Sequence, residues 1–155
     1  MKTAIVILNW NGEKLLEQFL PSIVNFSAKE AVIYVADNAS TDASIAFVKE
    51  FFPAVNIVEN VLNGGYAKGY NNALQSIEAD IYCLINSDVA VTKNWLPPIL
   101  EVFKKEKNTA IIQPKILDFK NQKKFEYAGA GGGFIDFFGY PYCRGRIFNN
   151  LEVDN

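Results

Sequence analysis

Ala4-Ile5-Val6-Ile7-Leu8 is an unbroken apolar run rich in β-branched residues, and it stops at Asn9-Trp10-Asn11-Gly12. A run without polar alternation suits a strand covered on both faces, as in a parallel sheet. Leu15, Leu16, Phe19, Leu20, Ile23 and Val24 then recur at helical spacing, with Pro21 a local irregularity. Val32 to Ala36 predicts a second strand that stops at Asp37-Asn38. Ser40-Thr41-Asp42 offers caps for a helix carrying Ile45, Phe47, Val48 and Phe51, which Phe52-Pro53 closes. Val55 to Val58 predicts a third, short strand.

The second half repeats the rhythm. Asn63-Gly64-Gly65 reads as a turn, Tyr70 to Ile77 as a short helix, and Ile81 to Ile85 as a fourth buried strand ending at Asn86-Ser87-Asp88. A helix is expected from Trp95 to Lys105 and a further strand over Ala110 to Gln113. Strands alternating with helices of this length predict right-handed βαβ units and an α/β fold with a mostly parallel sheet. From Lys115 the period is lost, and glycines and aromatics mix without a repeat through Gly145. That stretch is expected to be an ordered, functional loop region. The division expected is an α/β domain over 1–115 and a Gly/aromatic-rich segment over 116–155, the start of an acceptor-side half.

Composition narrows the chemistry. The 155 residues are 50% hydrophobic with a formal net charge of −2, enough for one core and too apolar for disorder. Fifteen basic against seventeen acidic residues leave no basic field for nucleic acid. There is no histidine, which removes imidazole from every catalytic or metal-binding scheme. Two cysteines, Cys83 and Cys143, make no disulfide framework, and a reduced cytoplasmic setting is expected. The start, Met1-Lys2-Thr3, leads into no signal-peptide pattern, and no apolar run approaches the roughly 20 residues a spanning helix needs.

Ligands of open parallel sheets bind at the carboxyl ends of the strands. Three of those ends are polar here: Asn9-Trp10-Asn11-Gly12, Asp37 to Asp42, and Asn86-Ser87-Asp88. A carboxylate after the second strand suits ribose hydroxyls or a base N–H, and one after a central strand suits a hard cation that would hold a diphosphate. Alone, Asp37 and Asp42 also read as helix caps, Asn86-Ser87-Asp88 as a plain turn, and Lys68 as a solvated charge. Gly64 to Gly69 has the glycine spacing of a phosphate loop, but Tyr70-Asn71 stand where Lys and Ser/Thr are needed. Phe134, Phe137, Phe138, Tyr140 and Tyr142, followed by Arg144 and Arg146, suit either core filling or stacking on a sugar. Taken together, the three polar ends point to a nucleotide or sugar site.

In order along the chain, Ile7 to Gly12, Val35 to Asp42, Asn63 to Asn71, Leu84 to Val89, Trp95-Leu96 and Gln113-Pro114-Lys115 resemble the family 2 glycosyltransferases of GT-A fold. The Asn-Trp-Asn-Gly opening and Phe125-Glu126-Tyr127-Ala128-Gly129 are similar to the bacterial rhamnosyltransferase-like subgroup. The resemblance implies inverting transfer of a sugar from a nucleoside diphosphate-sugar to an acceptor hydroxyl, in cell-surface polysaccharide synthesis. It implies that Asn9, Asn11 and Asp37, with Asn38 and Ser40, take the base and ribose. Asn63, Gly64 and Lys68 then lie along the diphosphate and donor sugar, with Asn86 and Ser87 at the ribose or phosphate. Asp88 is the implied ligand of Mg²⁺ or Mn²⁺. Asn86 stands where the family's Asp-X-Asp motif has its first Asp, and a neutral amide is a weaker ligand, so metal binding rests on Asp88.

The family's catalytic base follows the aromatic-glycine region. Glu126 and Asp136 do not match its spacing, so the base is expected beyond Asn155, in a chain truncated at its C-terminus and inactive alone. The resemblance also implies a glycan or lipid-linked acceptor, placing the full-length protein in the cytoplasm, at the inner face of the membrane. Two other functions fit less closely. A non-catalytic nucleotide-binding fragment needs only the donor side, whereas a sugar nucleotidyltransferase needs a Gly-rich, cationic loop after the first strand, and Asn9 to Glu13 lacks one.

Overall fold

Continuous apolar runs become strands, and Ala4 to Ile7 is buried on both faces. The run expected as a fourth buried strand lies at the sheet edge instead, where Tyr82 and Leu84 are 40% and 50% exposed. The computed structural model describes residues 1–126, 132–143, 146–147 and 150–151. Its elements are β1 (Thr3–Asn9), α1 (Glu13–Ser27), β2 (Val32–Asp37), α2 (Ser44–Phe51), β3 (Asn56–Glu59), α3 (Gly65–Leu74), β4 (Ile81–Asn86) and α4 (Leu96–Lys105). Four strands form one parallel sheet in the order β3-β2-β1-β4. The chain steps outward from β1 through β2 to β3, then returns to place β4 on the other side of β1. The strand order therefore reverses between β1 and β4, the place where an open α/β sheet leaves a crevice.

Side-chain alternation sorts the core into two layers. Ile5 and Ile7 of β1, with Ile33 and Val35 of β2, pack with Leu16, Leu20 and Ile23 of α1, Val48 of α2 and Leu96 of α4. Ala4 and Val6 of β1, with Ala36 of β2, pack with Tyr70 and Ala73 of α3 and with Ile77. One face of the sheet thus carries α1 and α2, and the other carries α3. The same alternation carries to the strand ends: Asn9 pairs with Asp37 in register, and Leu8 pairs with Asn86. Asn9 and Asp37 continue the α1/α2 face, whereas Asn86 shares the α3 face with Leu8.

Several expectations are corrected. The helix expected from Tyr70 begins five residues earlier, at Gly65, because the Asn63 side-chain oxygen accepts the Gly65 N–H at 2.9 Å and caps an added turn. Tyr66, Ala67 and Lys68 in that turn face solvent, so no apolar period announces it. The strand expected over Ala110–Gln113 does not form; Ile111 is 87% exposed, and a short apolar run makes a strand only where a neighbouring edge takes its backbone groups. α1 runs on through Pro21, and the Ser22 hydroxyl there donates to the Phe19 carbonyl at 2.8 Å.

The chain divides into two compact units, Met1–Glu101 and Val102–Asn155. The second holds β5 (Gly133–Ile135) paired antiparallel with β6 (Pro141–Cys143), and β7 (Arg146–Ile147) paired antiparallel with β8 (Asn150–Leu151). Asp136 organises the β5–β6 turn by accepting the N–H groups of Phe138 and Tyr140, both at 2.9 Å. The aromatics weighed as core filling are exposed, Phe137 at 97%. Residues 127–131 and Arg144, also weighed in the sequence, lie outside the described residues. No helix among the described residues is long and apolar enough to cross a membrane.

Candidate functional site

The loops after β1 and β2 are joined by side-chain hydrogen bonds. Asn9, 0% exposed, donates its amide to Asp37 Oδ1 at 3.1 Å and to Ser40 Oγ at 3.2 Å. Asp37, 3% exposed, accepts the Ser40 N–H on its other oxygen at 2.9 Å. Ser40 Oγ accepts the Asn11 N–H at 2.9 Å, and Asn11 Oδ1 accepts the Thr41 N–H at 2.7 Å. The chain turns through two left-handed residues here, Asn11 (φ 49°) and Ala39 (φ 62°). Asn adopts that conformation readily; Ala adopts it at a cost that the surrounding bonds offset.

Asp42 spans the same junction. Its Oδ2 accepts the Glu13 N–H that opens α1, and its Oδ1 accepts both the N–H and the hydroxyl of Ser44, which opens α2. Burial pushes this carboxyl up, but the bonds from the Ser44 hydroxyl and from the backbone N–H groups of Glu13, Ser44 and Asp42 itself outweigh it, so its pKa lies below the ordinary value. The cap expected from Ser40-Thr41-Asp42 is therefore Asp42 alone, serving two helices.

A second group of bonds joins β2 to α3. Asn38 donates to Asn63 Oδ1 at 2.7 Å and to the Gly65 carbonyl at 3.3 Å, and accepts from Asn60 at 3.2 Å. Asn60 also donates to the Gly69 carbonyl at 3.0 Å. Gly69 permits this approach, since a Cβ there would stand 3.0 Å from Leu8 Cδ1 and 3.1 Å from the Asn38 amide. Lys68 is exposed, and its aliphatic stem lies over Gly64, where a Cβ would come within 2.8 Å of it.

Asn86, Ser87 and Asp88 are different. Together with Leu8, Leu15 and Tyr66 they line an open cleft of about 230 Å³ beside the crevice between β1 and β4. Tyr70, whose phenol is held protonated by burial, donates to the Ile85 carbonyl at 2.9 Å and so ties α3 to the end of β4. Two serines of α1 hold the chain beyond Asp88: Ser22 Oγ accepts the Val91 N–H at 3.2 Å, and Ser27 Oγ accepts the Trp95 indole N–H at 3.0 Å.

The residues expected at the site thus separate into two sets. Asn9, Asn11, Asp37 and Ser40 form a bonded floor, with Asn38 and Asn63 bonded beside it, while Asn86, Ser87 and Asp88 face the cleft. Asn9 and Asp37, expected at the base and ribose, are both buried and bound to protein groups. One floor atom, Asn9 Oδ1, is buried without a bond, and the absent Gly12 side chain leaves its space, since a Cβ there would collide with it. Asn60, Tyr66, Tyr70, Ser22 and Ser27 were not singled out from the sequence. The exposed Trp10 at the β1 end (58%) adds an aromatic face.

No group of three or more acidic or thiol side chains lies together among the described residues. Asp88 and Asn86 on one cleft wall nevertheless fit a magnesium-type cation, which takes one or two protein oxygens and completes its shell with phosphate and water. Cys83 is half-buried in mid-strand, and burial pushes its thiol up, as suits a packing residue.

Comparisons with known proteins agree with this geometry. A curated protein of Haemophilus influenzae named as an uncharacterized glycosyltransferase is 20% identical over 105 residues, which are 66% of this chain and 32% of the relative. The chain therefore spans about a third of that relative's length. The crystal structure of S. aureus TarS 1-349 in complex with UDP-GlcNAc superposes with a TM-score of 0.62 at 20% identity, covering 76% of this chain and 39% of that one. The mannosyltransferase PcManGT of Pyrobaculum calidifontis, in complex with GDP-Man and Mn²⁺, gives a TM-score of 0.52 at 24% identity, covering 57% and 28%. The fold is the GT-A arrangement of a mostly parallel sheet between helices. The family model described as "Glycosyl transferase family 2" matches residues 4–150, and the chain belongs to that family.

Proposed function

We propose that this chain is the donor-binding part of an inverting glycosyltransferase that takes a nucleoside diphosphate-sugar and passes the sugar to an acceptor hydroxyl. The observation that carries the reading is the open cleft where Asn86, Ser87 and Asp88 meet at the point of strand-order reversal. Family membership supports it, as do the ligands of the two structural neighbours, UDP-GlcNAc in one and GDP-Man with Mn²⁺ in the other.

In this reading Asp88 would hold Mg²⁺ or Mn²⁺, with Asn86 at the ribose or phosphate. A divalent cation there supplies positive charge against the diphosphate that departs. The chain's own part is positional: the floor fixes the loops, Tyr70 fixes the end of β4, and the serines of α1 hold the segment beyond Asp88. Lys68, exposed on the first turns of α3, offers its ammonium to the diphosphate. Asp88 is the one carboxylate lining the cleft and, as metal ligand, does not also deprotonate the acceptor. No base is accordingly assigned among the described residues, and in this reading the chain alone binds donor but transfers sugar poorly. A rhamnosyltransferase-like specificity, a role in cell-surface polysaccharide synthesis, a glycan or lipid-linked acceptor, and cytoplasmic work at the inner membrane face belong to the same proposal.

Calorimetric titration with UDP, dTDP and GDP, each with and without Mn²⁺, tests it. Metal-dependent binding of at least one is expected; binding of none under either condition sinks the donor-site reading.

A further inference from the structure

We propose that the β5–β6 hairpin inserts its tip into the surface of an anionic lipid bilayer. This rests on the membrane setting proposed above, for which it supplies the contact, and does not depend on the donor cleft. Phe134, Ile135, Phe137, Phe138, Tyr140 and Tyr142 are all at least half exposed, Phe137 and Phe138 far more than that. They are gathered rather than scattered. Phe134 and Tyr142 stack across the two strands at 5.4 Å, and the Phe137 and Phe138 rings meet edge-on at 5.6 Å in the turn. Apolar surface concentrated in this way marks a place that something else covers.

The backbone of the turn selects the cover. The Asp136 N–H donates to the Tyr140 carbonyl and the Gly139 N–H to the Asp136 carbonyl, both at 3.0 Å. The N–H groups of Phe138 and Tyr140 go to Asp136 Oδ1, and Pro141 has no N–H to place. Hydrocarbon offers no hydrogen-bond partner, so a segment entering it has to answer its own donors, as this turn does. A glycan would need polar side chains for its hydroxyls, yet the one carboxylate here is committed to two N–H groups. A protein groove would supply partners that this turn does not ask for. Asp136 is also the only charge from Gly133 to Cys143, and a carboxylate limits the tip to the headgroup boundary. There the hydroxyls of Tyr140 and Tyr142 can stay hydrated while their rings lie against acyl chains, as aromatic residues do at membrane interfaces. Charge selects the lipid. Val102–Asn155, the unit that holds the hairpin, has nine Lys and Arg against six Asp and Glu, whereas Met1–Glu101 has six against eleven. A basic excess on the hairpin's own unit suits an anionic surface.

Co-sedimentation of the whole chain with vesicles tests it, using mixed phosphatidylglycerol and phosphatidylcholine beside phosphatidylcholine alone. Wild type should bind the mixed vesicles, and the neutral ones more weakly. The double variant Phe137→Ser, Phe138→Ser should bind the mixed vesicles at least about tenfold more weakly, with its thermal melting unchanged because both side chains are exposed. Phe137→Trp should keep binding, and its added emission should move to the blue on vesicles. Val61→Ser removes an exposed apolar side chain outside the hairpin and should bind as wild type does. Wild type that ignores the mixed vesicles overturns the inference, as does a double variant that binds them unchanged. An equal loss on Val61→Ser overturns it as general adhesion, and equal binding to both vesicle types overturns the anionic assignment. Self-association of wild type that the double variant loses, without vesicle binding, would give the patch to a second copy and overturns it too. Mn²⁺-dependent nucleotide binding should be the same in the double variant, so the two readings fail separately. Wild type that binds nucleotide but no vesicle sinks this inference alone, and wild type that binds vesicles but no nucleotide sinks the donor reading alone.

Discussion

The two sides of the β1 strand end differ in what their polar groups do. Toward α1 and α2, Asn9, Asn11, Asp37, Ser40 and Asp42 are bonded to one another or to backbone N–H groups. Toward α3, the polar groups Asn86 and Asp88 stand exposed along a cleft whose apolar wall includes an uncovered Tyr66. The first side is built to hold its shape without a ligand, and the second has polar capacity left over. Residues of the same types, in equally polar strand-end motifs, thus divide into bonded and exposed groups. The face of the sheet does not decide this alone, since Asn38, on the α3 side, is buried and bonded to Asn60, Asn63 and Gly65.

The comparison breaks if damage to the bonded side leaves stability unchanged. Asp37→Ala leaves the Asn9 amide and the Ser40 N–H without their buried acceptor, and the expected loss is about 2–3 kcal/mol in urea unfolding. A loss under about 0.5 kcal/mol would show that the loops hold without it. Asp88→Ala probes the open side and should do the reverse. Mn²⁺-dependent nucleotide binding should fall at least about tenfold in calorimetry, with the urea midpoint almost unmoved. Retained binding would take the metal away from Asp88.

The smallest effect concerns pH. The Asp42 carboxyl lies below its ordinary value of 3.8 in the folded chain, so it binds its proton more readily when unfolded. Its contribution is fully present above that value and is lost as pH falls through the lower folded value. Asp42→Asn should therefore lessen the loss of stability on acidification below about pH 4, followed by thermal melting. Parallel profiles for variant and wild type would mean that the double cap carries no charge-dependent stability.

Much of the sheet was legible because its strands are continuous apolar runs; Ala4 to Leu8 could hardly face water on either side. The short run at Ala110–Gln113 looked alike, and only its lack of a neighbouring edge, a tertiary fact, separates it. The start of α3 was hidden because its first turn faces solvent, where no apolar period is required. At the site, residue types were legible but their partners were not: Asn9 and Asp37 are 28 positions apart, and Asn38 and Asn63 are 25 apart. One usable signal was in the chain. Asn9 keeps the parity of Ile5 and Ile7, which face α1, so its direction could be read before its contacts were known. Tyr66 carried no such mark, being one aromatic in a glycine-rich turn.

One consequence of Asp42 concerns the electric field at this end of the sheet. The start of each helix carries a partial positive charge from its unpaired N–H groups, attractive to anions. A single carboxylate answers two of those starts at once, those of α1 and α2. The start of α3 meets only the neutral amide of Asn63, and no acidic residue lies in its first turn. The field is therefore lopsided: an approaching polyanion finds the α1/α2 side already neutralised and is drawn toward α3, where Lys68 adds to the pull. Orientation of a charged ligand can thus begin before any contact forms.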